Sequence, residues 1–157
     1  MRAVVLGGGY AGIMVATRLE NRLPEDVEIV LVDQRNDHVI RHELHRIIRR
    51  PDLAERIRIP FSSILNRAQV LERTVKSLET GDRTLTFENG EQLDYDTAAV
   101  CLGSTPAFYG IDGLQEHALP LHTPEEAREI GDRVRRILDR GGGHVVIGGA
   151  GLTGIQA

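Results

Sequence analysis

The chain has very little of several residue types that would point to a particular chemistry. Its 157 residues include one cysteine, Cys101, no tryptophan and only 4% aromatic residues. A single cysteine excludes an internal disulfide and a metal site built on several thiolates. The scarcity of aromatic side chains leaves no base-stacking platform for single-stranded nucleic acid. No apolar run is long enough to suggest a membrane-spanning helix.

An excess of positive charge is also missing. The chain carries 19 Lys and Arg against 23 Asp and Glu, a formal net charge of −4. This balance gives no overall attraction to nucleic acid or to anionic lipid. Met1 leads directly into the first apolar run, without the pattern of an export signal. We therefore expect a cytoplasmic protein that binds no nucleic acid.

Glycine is present in two similar stretches. The first is AVVLGGGYAGIMV near the start, and the second is VVIGGAGLTGIQA at the end. The two align without a gap, so that three glycines of the first fall on three of the second: Gly7 on Gly149, Gly9 on Gly151 and Gly12 on Gly154. The alternative is that the second copy is an ordinary glycine-rich terminus.

The first glycine stretch lies inside a predicted β-α-β unit. Residues 3–6 are a short apolar run typical of a buried parallel strand. Residues 10–22 have helical spacing, which Pro24 ends. Residues 27–33 are apolar and rich in β-branched residues, and they predict a second buried strand. Together they have the size of one such unit, about thirty residues.

In a G-x-G-x-x-G turn between a strand and a helix, each glycine has a structural role. Gly7 allows the tight turn, Gly9 lets a pyrophosphate approach the backbone, and Gly12 permits close packing of helix and strand. Asp33 ends the second strand about 20 residues further on, where a carboxylate accepts hydrogen bonds from the adenosine ribose. Its charge disfavours NADP, because it would repel a 2′-phosphate. The alternative is a glycine-rich turn that binds nothing.

The middle of the chain predicts a different kind of sheet. Residues 68–97 contain three predicted short strands, VLERTVKSLE (70–79), RTLTFENG (83–90) and EQLDYD (91–96). Turn signals at Gly81-Asp82 and Asn89-Gly90 separate them and indicate an antiparallel meander. Residues 97–103 return as a buried strand. The predicted fold class is therefore α/β, with a Rossmann-like parallel sheet and an antiparallel β-meander.

The last third predicts a capped helix and one more strand. Thr123 and Glu126 form a capping box around Pro124, and the glycines at 141–143 end the helix. Its apolar face comprises Ala127, Ile130, Val134, Ile137 and Leu138. HVVIGG then predicts a strand, followed by the second glycine motif.

A histidine-rich segment, 38–50, is predicted to be helical. His38, His42 and His45 have the spacing of one helix face, but HELH is not the H-E-x-x-H pattern of a zinc site. We predict no metal and interpret this segment as a polar helix face. Cys101, within a buried strand, is interpreted as structural.

The string YDTAAVCLGSTP resembles the second flavin motif of flavoproteins with two dinucleotide-binding domains. Within that superfamily, LGSTPAFYGIDGLQEHALPLHTPEEAREI is similar to the type II NADH dehydrogenases, the single-subunit NADH:quinone oxidoreductases. These belong to the FAD-dependent pyridine nucleotide-disulfide oxidoreductases. The family usually has an apolar stretch after the ribose-binding acid, where this chain has DHVIRHELHRIIRR, and this leaves the electron acceptor open.

The resemblance implies a set of cofactor-binding residues. The FAD pyrophosphate would be lined by Gly7, Gly8, Gly9, Tyr10, Ala11 and Gly12. Asp33 would hold the ribose, the backbone of Val75 the adenine, and Gly103 would lie against the middle of the FAD. The NAD(P)H site would begin with Gly149, Gly151 and Gly154. No catalytic side chain can be named.

The resemblance also implies a domain organisation. Residues 1–113 would be the N-terminal part of an FAD-binding domain that is incomplete at its C-terminus. Residues 114–157 would hold a linker helix and the first strand of a truncated NAD(P)H-binding domain, without the helix that follows its glycine motif. The chain by itself is expected not to catalyse NADH oxidation.

The implied function is electron transfer from NADH through FAD to a quinone-type acceptor. Residues 38–50 and 104–157 contain no cysteine, so the flavin would act without a thiol relay. For the full-length protein the resemblance allows a homodimer and peripheral attachment to the cytoplasmic face of the membrane. The alternatives are a ferredoxin- or rubredoxin-type reductase and a non-catalytic adenine-dinucleotide-binding module.

Overall fold

The computed structural model describes residues 1–149 and 151–157. The chain divides into two compact units. The first, here called the sheet unit, comprises Met1–Val39 and Ile59–Gly103. The second, here called the helical unit, comprises Ile40–Arg58 and Ser104–Ala157.

The described part of the chain contains both strands and helices. The strands are β1 (Arg2–Leu6), β2 (Glu28–Asp33), β3 (Asp37–Val39), β4 (Arg58–Pro60), β5 (Gln69–Glu72), β6 (Val75–Glu79), β7 (Thr84–Phe87), β8 (Gln92–Asp94) and β9 (Thr97–Val100). The helices are α1 (Tyr10–Arg22), α2 (Leu44–Arg49), α3 (Leu53–Arg56), α4 (Leu114–His117), α5 (Pro124–Asp139) and α6 (Leu152–Gln156). Short 3-10 turns occupy Arg41–Glu43 and Phe61–Ser63.

A four-stranded parallel sheet is the centre of the sheet unit, with the strand order β5-β2-β1-β9. Val4 of β1 lies opposite Val30 of β2 on one side and Ala98 of β9 on the other. The apolar runs of β1 and β2 are buried along nearly their whole length, as expected for strands covered on both faces. The predicted β-α-β unit and the Rossmann-like α/β class are confirmed.

Alternate residues of the central strands face two different cores. Val4, Leu6, Val30 and Val32 pack with the meander residues Leu85 and Phe87. On the opposite face, Val5 and Leu31 pack with Ala16 of α1, Phe61 and Leu65. The sheet is therefore covered by the meander on one side and by α1 on the other.

The antiparallel meander is smaller than the sequence predicted. It contains β6, β7 and β8, with backbone turns at Arg83 (φ 54°) and Gly90 (φ 84°). Residues 70–79 do not form one meander strand, because β5 pairs in parallel with β2 instead. The N–H group of Arg73 then donates to the carbonyl of Asp33, 2.8 Å away, and the chain turns. Pairing with β5 satisfies the open side of β2, a requirement that local alternation does not reveal.

The connection after α1 is held by a buried carboxylate. Glu20 is only 9% exposed, and its Oε1 accepts hydrogen bonds from the N–H groups of Asn66, Arg67 and Ala68 at 3.0, 2.6 and 2.7 Å. These bonds tie α1 to the segment that leads into β5.

The prediction of a helix across residues 38–50 is only partly correct. Asp37–Val39 form β3, a 3-10 turn follows, and α2 begins at Leu44. His38 is therefore a buried strand residue rather than part of a polar helix face. His42 and His45 remain in the helical unit.

The helical unit is organised around α5. Its predicted capping box is confirmed, because the Thr123 side chain accepts from the Glu126 N–H and the Glu126 side chain accepts from the Thr123 N–H. A Cβ on Gly131 would lie 2.3 Å from the carbonyl oxygen of Ile48, so α5 and α2 approach closely. Of the predicted apolar face, Ala127 is fully buried, whereas Leu138 is 66% exposed.

Two predictions near the end of the chain are wrong at the level of secondary structure. Residues 142–149 form no strand, and Val146 is 91% exposed. A parallel strand requires a neighbouring strand, and no described segment pairs with this one. Conversely, a short helix, α6, does follow the second glycine motif. The assignment of 114–157 to an NAD(P)H-binding domain stays a prediction.

Candidate dinucleotide site

The first glycine motif lies at the carboxyl edge of the parallel sheet, between β1 and α1. The N–H group of Gly7 donates to the Val32 carbonyl at 2.8 Å, and that of Cys101 donates to the Leu6 carbonyl at 2.7 Å. These bonds fix the start of the loop against both neighbouring strands. In open α/β sheets the ligand binds at this edge.

Two of the glycines are required by the backbone itself. Gly7 has a φ of +98°, and a Cβ there would lie 2.4 Å from the carbonyl oxygen of Cys101. A Cβ on Gly12 would lie 1.7 Å from the carbonyl oxygen of Gly7. Side chains at these positions would collide with backbone atoms, so both glycines maintain the turn whether or not a ligand is bound.

Gly9 differs from both of these residues. A Cβ there would meet nothing within 4 Å, and its φ of −71° and ψ of −171° suit any L-residue. Neither the fold nor the backbone conformation requires glycine at this exposed position. The close approach of a ligand to the backbone would explain why a glycine with open space around it is present where the fold does not need one.

The N-terminus of α1 is electrostatically prepared for an anion. Gly9 is its N-cap and provides no side-chain hydrogen bond, and the first turn contains no acidic residue. The partial positive charge of the 13-residue helix is therefore not compensated by a capping side chain. The N–H groups of a helix N-terminus, together with this dipole, are typical of phosphate sites.

Gly8, between these positions, is held from three directions. Its N–H group donates to Oδ2 of Asp33 at 2.7 Å, and its carbonyl lies 2.9 Å from Nδ1 of His38. The fully buried ring of Phe61 lies so close that a Cβ on Gly8 would be 2.1 Å from it. We call Asp33, His38 and Phe61 the Gly8 clamp. The predicted site residues Gly7, Gly8, Gly9, Gly12 and Asp33 are thus brought together.

Asp33 is half-buried and accepts local hydrogen bonds with both carboxylate oxygens. Oδ1 accepts from the N–H group of Arg35 at 2.9 Å, while Oδ2 accepts from Gly8. Each oxygen has a second lone pair, so the carboxylate can still accept hydrogen bonds from ribose hydroxyls. The same residue can therefore shape the loop and contact a ligand.

A cavity of about 400 Å³ lies next to Asp33 in the sheet unit. Its lining consists of Gln34, Glu72, Arg73, Thr74, Phe87, Glu88 and Asn89. Val75 is the next residue after Thr74 and lies opposite Phe87 at the start of β6. A hydrogen bond with the Asn89 side chain, followed by the hydrogen bond and charge of Arg73, lowers the pKa of Glu91 beside this cavity. Val75 itself does not line the cavity, and its contact with the adenine stays a prediction.

Sequence reasoning missed His38. The prediction of a helix over 38–50 grouped it with His42 and His45, whereas it lies on β3 and contacts the glycine loop. Its ring also meets that of Tyr10 edge-on, with centroids 4.7 Å apart and an interplanar angle of 83°. The apolar residues Val39 and Ile40 directly after it were the one available signal for a buried strand.

Gly103 follows β9 at the carboxyl edge, with a φ of +78° and open space around its Cβ position. It is exposed and belongs to the sheet unit. Its backbone conformation is one that favours glycine. Its predicted contact with the middle of FAD stays a prediction.

The three glycines of the second motif, in the helical unit, have a local geometry close to that of their counterparts in the first. Gly149 has a φ of +121°, and a Cβ on Gly154 would lie 2.1 Å from the Gly149 carbonyl oxygen. Gly151 is the N-cap of α6 with a φ of −72° and a ψ of 176°, close to the values at Gly9. The turn is therefore a local property of the glycine spacing, and it forms without a preceding strand.

Residues 1–149 and 151–157 show neither a metal cluster nor a membrane-spanning helix. They contain no group of three or more His, Cys, Asp or Glu side chains placed to hold a metal ion. No helix among them has the length and apolar character needed to cross a bilayer.

The fold and the glycine loop define a Rossmann-like α/β protein. The chain belongs to the pyridine nucleotide-disulphide oxidoreductase family, whose model matches residues 1–157. It is 28% identical over 156 residues to the NADH dehydrogenase-like protein YutJ of Bacillus subtilis, which covers 99% of this chain and 43% of that protein. It is 27% identical over 177 aligned residues to the type II NADH:quinone oxidoreductase of Staphylococcus aureus, covering 99% of this chain and 41% of the relative.

A solved structure shows the same fold. The sulfide:quinone oxidoreductase of Aquifex aeolicus superimposes with a TM-score of 0.78 at 23% identity, over 88% of this chain and 32% of that one. The chain thus spans about two fifths of the length of these curated relatives. The predicted family resemblance is confirmed.

Proposed function

We propose that this chain supplies the FAD-binding part of an NAD(P)H dehydrogenase that passes electrons to a quinone-type acceptor. The observation that carries the proposal is the contrast among the glycines. Gly7 and Gly12 are needed for the turn, whereas Gly9 is needed only if something approaches the backbone. The N-terminus of α1, which has no side-chain cap, supports an anionic ligand.

The residues present fit the adenosine half of an adenine dinucleotide, together with its pyrophosphate. Backbone groups of residues 9–12 would hold the pyrophosphate, and Asp33 would accept hydrogen bonds from the ribose. The cavity beside Gln34 and Thr74 leaves room next to the ribose for the adenine, close to the backbone of Val75. Gly103 would approach the middle of the cofactor. When bound, FAD supplies hydride and electron transfer, and the protein binds and orients it.

The redox partners are proposed from the relatives. One curated relative named above is an NADH dehydrogenase-like protein, and the other is a type II NADH:quinone oxidoreductase. Cys101, the one cysteine of the chain, has its carbonyl packed against Gly7. A thiol relay within this chain is therefore not part of the proposal.

The second motif is proposed to begin the NAD(P)H site. Gly149, Gly151 and Gly154 repeat the local turn that Gly7, Gly9 and Gly12 make, and this repetition supports a second pyrophosphate contact. The proposal also includes homodimer formation and peripheral membrane attachment of the full-length protein. Both are supported by the family resemblance alone.

The first experiment measures which nucleotides the purified protein binds. Flavin fluorescence on titration with FAD should report saturable binding, and ADP should compete, because it carries the ribose and pyrophosphate. FMN, which lacks the adenosine half, should not compete. If FMN displaced FAD as well as ADP does, the adenosine end would not lie at Asp33 and the assignment of the site would be wrong.

The second experiment addresses the reaction. NADH and NADPH are compared as donors, with a soluble quinone and with rubredoxin as acceptors, using the full-length gene product. Turnover with NADH and quinone is the expected result. Turnover with rubredoxin alone would favour a rubredoxin-type reductase, and FAD binding without turnover would indicate a non-catalytic module.

A further inference from the structure

We infer that His38 is a positioning residue for the glycine loop, and that its Nδ1–H group holds the Gly8 carbonyl in the orientation that FAD binding requires. This inference rests on the proposed function. It is carried by a buried polar contact between two residues 30 positions apart, with an N···O distance of 2.9 Å. His38 is only 7% exposed.

The chemistry of the contact fixes the tautomer. A carbonyl oxygen can only accept, so Nδ1 of His38 must carry the proton. Asp33 accepts the N–H of the same residue, Gly8, at 2.7 Å. The two contacts hold the peptide groups on either side of the Gly8 Cα, and Phe61 closes the space beneath it. Asp33 and His38 together therefore determine the direction in which the following residues face.

The position of the clamp explains why it matters for binding. Gly8 directly precedes Gly9, the N-cap of α1 at which nothing from the chain occupies the Cβ position. Rotation of the peptide between Gly8 and Gly9 would turn the Gly9 N–H group away from a bound anion. A loop held in its binding conformation beforehand loses less freedom when the ligand arrives. Tyr10, at the first position of α1, packs against the His38 ring and limits its rotation.

Two substitutions separate the hydrogen bond from the packing. His38→Phe keeps a ring beside Tyr10 but removes the donor, whereas in His38→Asn the amide nitrogen can replace Nδ1. We expect His38→Phe to weaken FAD binding roughly three- to tenfold, the worth of one hydrogen bond. We expect His38→Asn to restore most of that loss. Equal affinity of His38→Phe and the wild type would overturn the inference.

Three controls make the result specific. His45→Phe removes a histidine of the helical unit whose Nδ1 lies near the carbonyl of His42, and it should leave FAD affinity unchanged. Glu20→Gln lowers stability away from the loop. If it weakened FAD binding as much as His38→Phe does, the effect of His38 would be general destabilisation, which would contradict a positioning role. Competition with ADP tests whether the effect lies at the pyrophosphate and ribose. The loss of affinity in His38→Phe should also appear when ADP is the ligand.

A measurement on the wild type does not depend on any variant folding. Nitrogen-15 NMR of the imidazole, with the signal assigned by its loss in His38→Asn, should show a protonated Nδ1. A His38 ring protonated only at Nε2 would rule out donation to Gly8 and overturn the inference. If the wild type bound no FAD while Nδ1 was protonated, the proposed function would fail and the local contact would stand.

Discussion

Replacing Gly9 by valine should remove dinucleotide binding while leaving the fold intact. Gly9 has backbone angles open to any L-residue, and nothing lies within 4 Å of its Cβ position. Loss of glycine flexibility in the unfolded chain would stabilise the variant by about 0.4–1 kcal/mol, and the loss of a good N-cap residue would cost a similar amount. The free energy of unfolding should therefore change by less than about 1 kcal/mol.

The effect on binding should be much larger. The valine side chain would occupy the space through which a pyrophosphate reaches the backbone. If two hydrogen bonds to the charged phosphates are lost, at about 1.5–3 kcal/mol each, affinity falls by roughly 3–6 kcal/mol. This corresponds to about a hundredfold to ten-thousandfold in the dissociation constant. Gly9→Ala, with one methyl group, should show a smaller loss.

The assay combines FAD titration, followed by flavin fluorescence, with urea unfolding of each variant. Gly81→Val is the matched control, because Gly81 also has open space at its Cβ position and no positive φ, but lies in the meander turn. Gly81→Val should change neither the affinity for FAD nor the free energy of unfolding appreciably. Wild-type affinity in Gly9→Val would refute the argument that the ligand approaches this backbone, whereas unfolding of the variant would show that the open space is filled in solution.

Three other substitutions test separate parts of the structure. Asp33→Ala should weaken FAD binding about ten- to a hundredfold, or about 1.5–3 kcal/mol, because the ribose contact and the Gly8 contact are lost together. An unchanged dissociation constant in the same titration would mean that Asp33 only ends the strand. Glu20→Gln should lower the free energy of unfolding in urea by about 1–3 kcal/mol, since a neutral amide replaces a charged acceptor of three N–H groups. Thr123→Ala should cost about 1 kcal/mol of helix stability, measured by thermal unfolding followed by circular dichroism, and Thr123→Ser should restore it.

Local features of the sequence predicted their structures well. The helix α1 begins at Tyr10 and ends at Arg22 as its periodicity indicated. The capping box around Pro124 formed because each of its hydrogen bonds joins residues three positions apart. Both glycine motifs make the same turn, one with a flanking parallel strand and one without. In each case the determining interactions lie within a few residues of chain.

The pairing of strands that lie far apart in the chain was harder to predict from the sequence. The sequence could not show that Gln69–Glu72 joins β2, because alternation alone does not reveal which partner a strand has. It also could not show that residues 142–149 form no strand, since their apolar character fits a buried strand whose neighbours are absent from the described structure. The histidine-rich segment was ambiguous for a related reason, because a three-residue strand such as β3 is too short to display a period.

The sequence by itself determined the turn and the chemical class of the site: the glycine spacing, the acid at the end of β2 and the Rossmann-like order of strand and helix. Only the tertiary structure decided which atoms lie against each glycine. Gly12 meets a carbonyl of its own loop, Gly7 meets Cys101 and Gly8 meets Phe61, while Gly9 meets nothing. The tertiary structure alone also revealed the contact between His38 and Gly8. Apart from the contact of Gly12 with Gly7, these contacts join residues far apart in the chain. They exist only after the sheet has brought its strand ends to one edge, and no local pattern in the sequence encodes them.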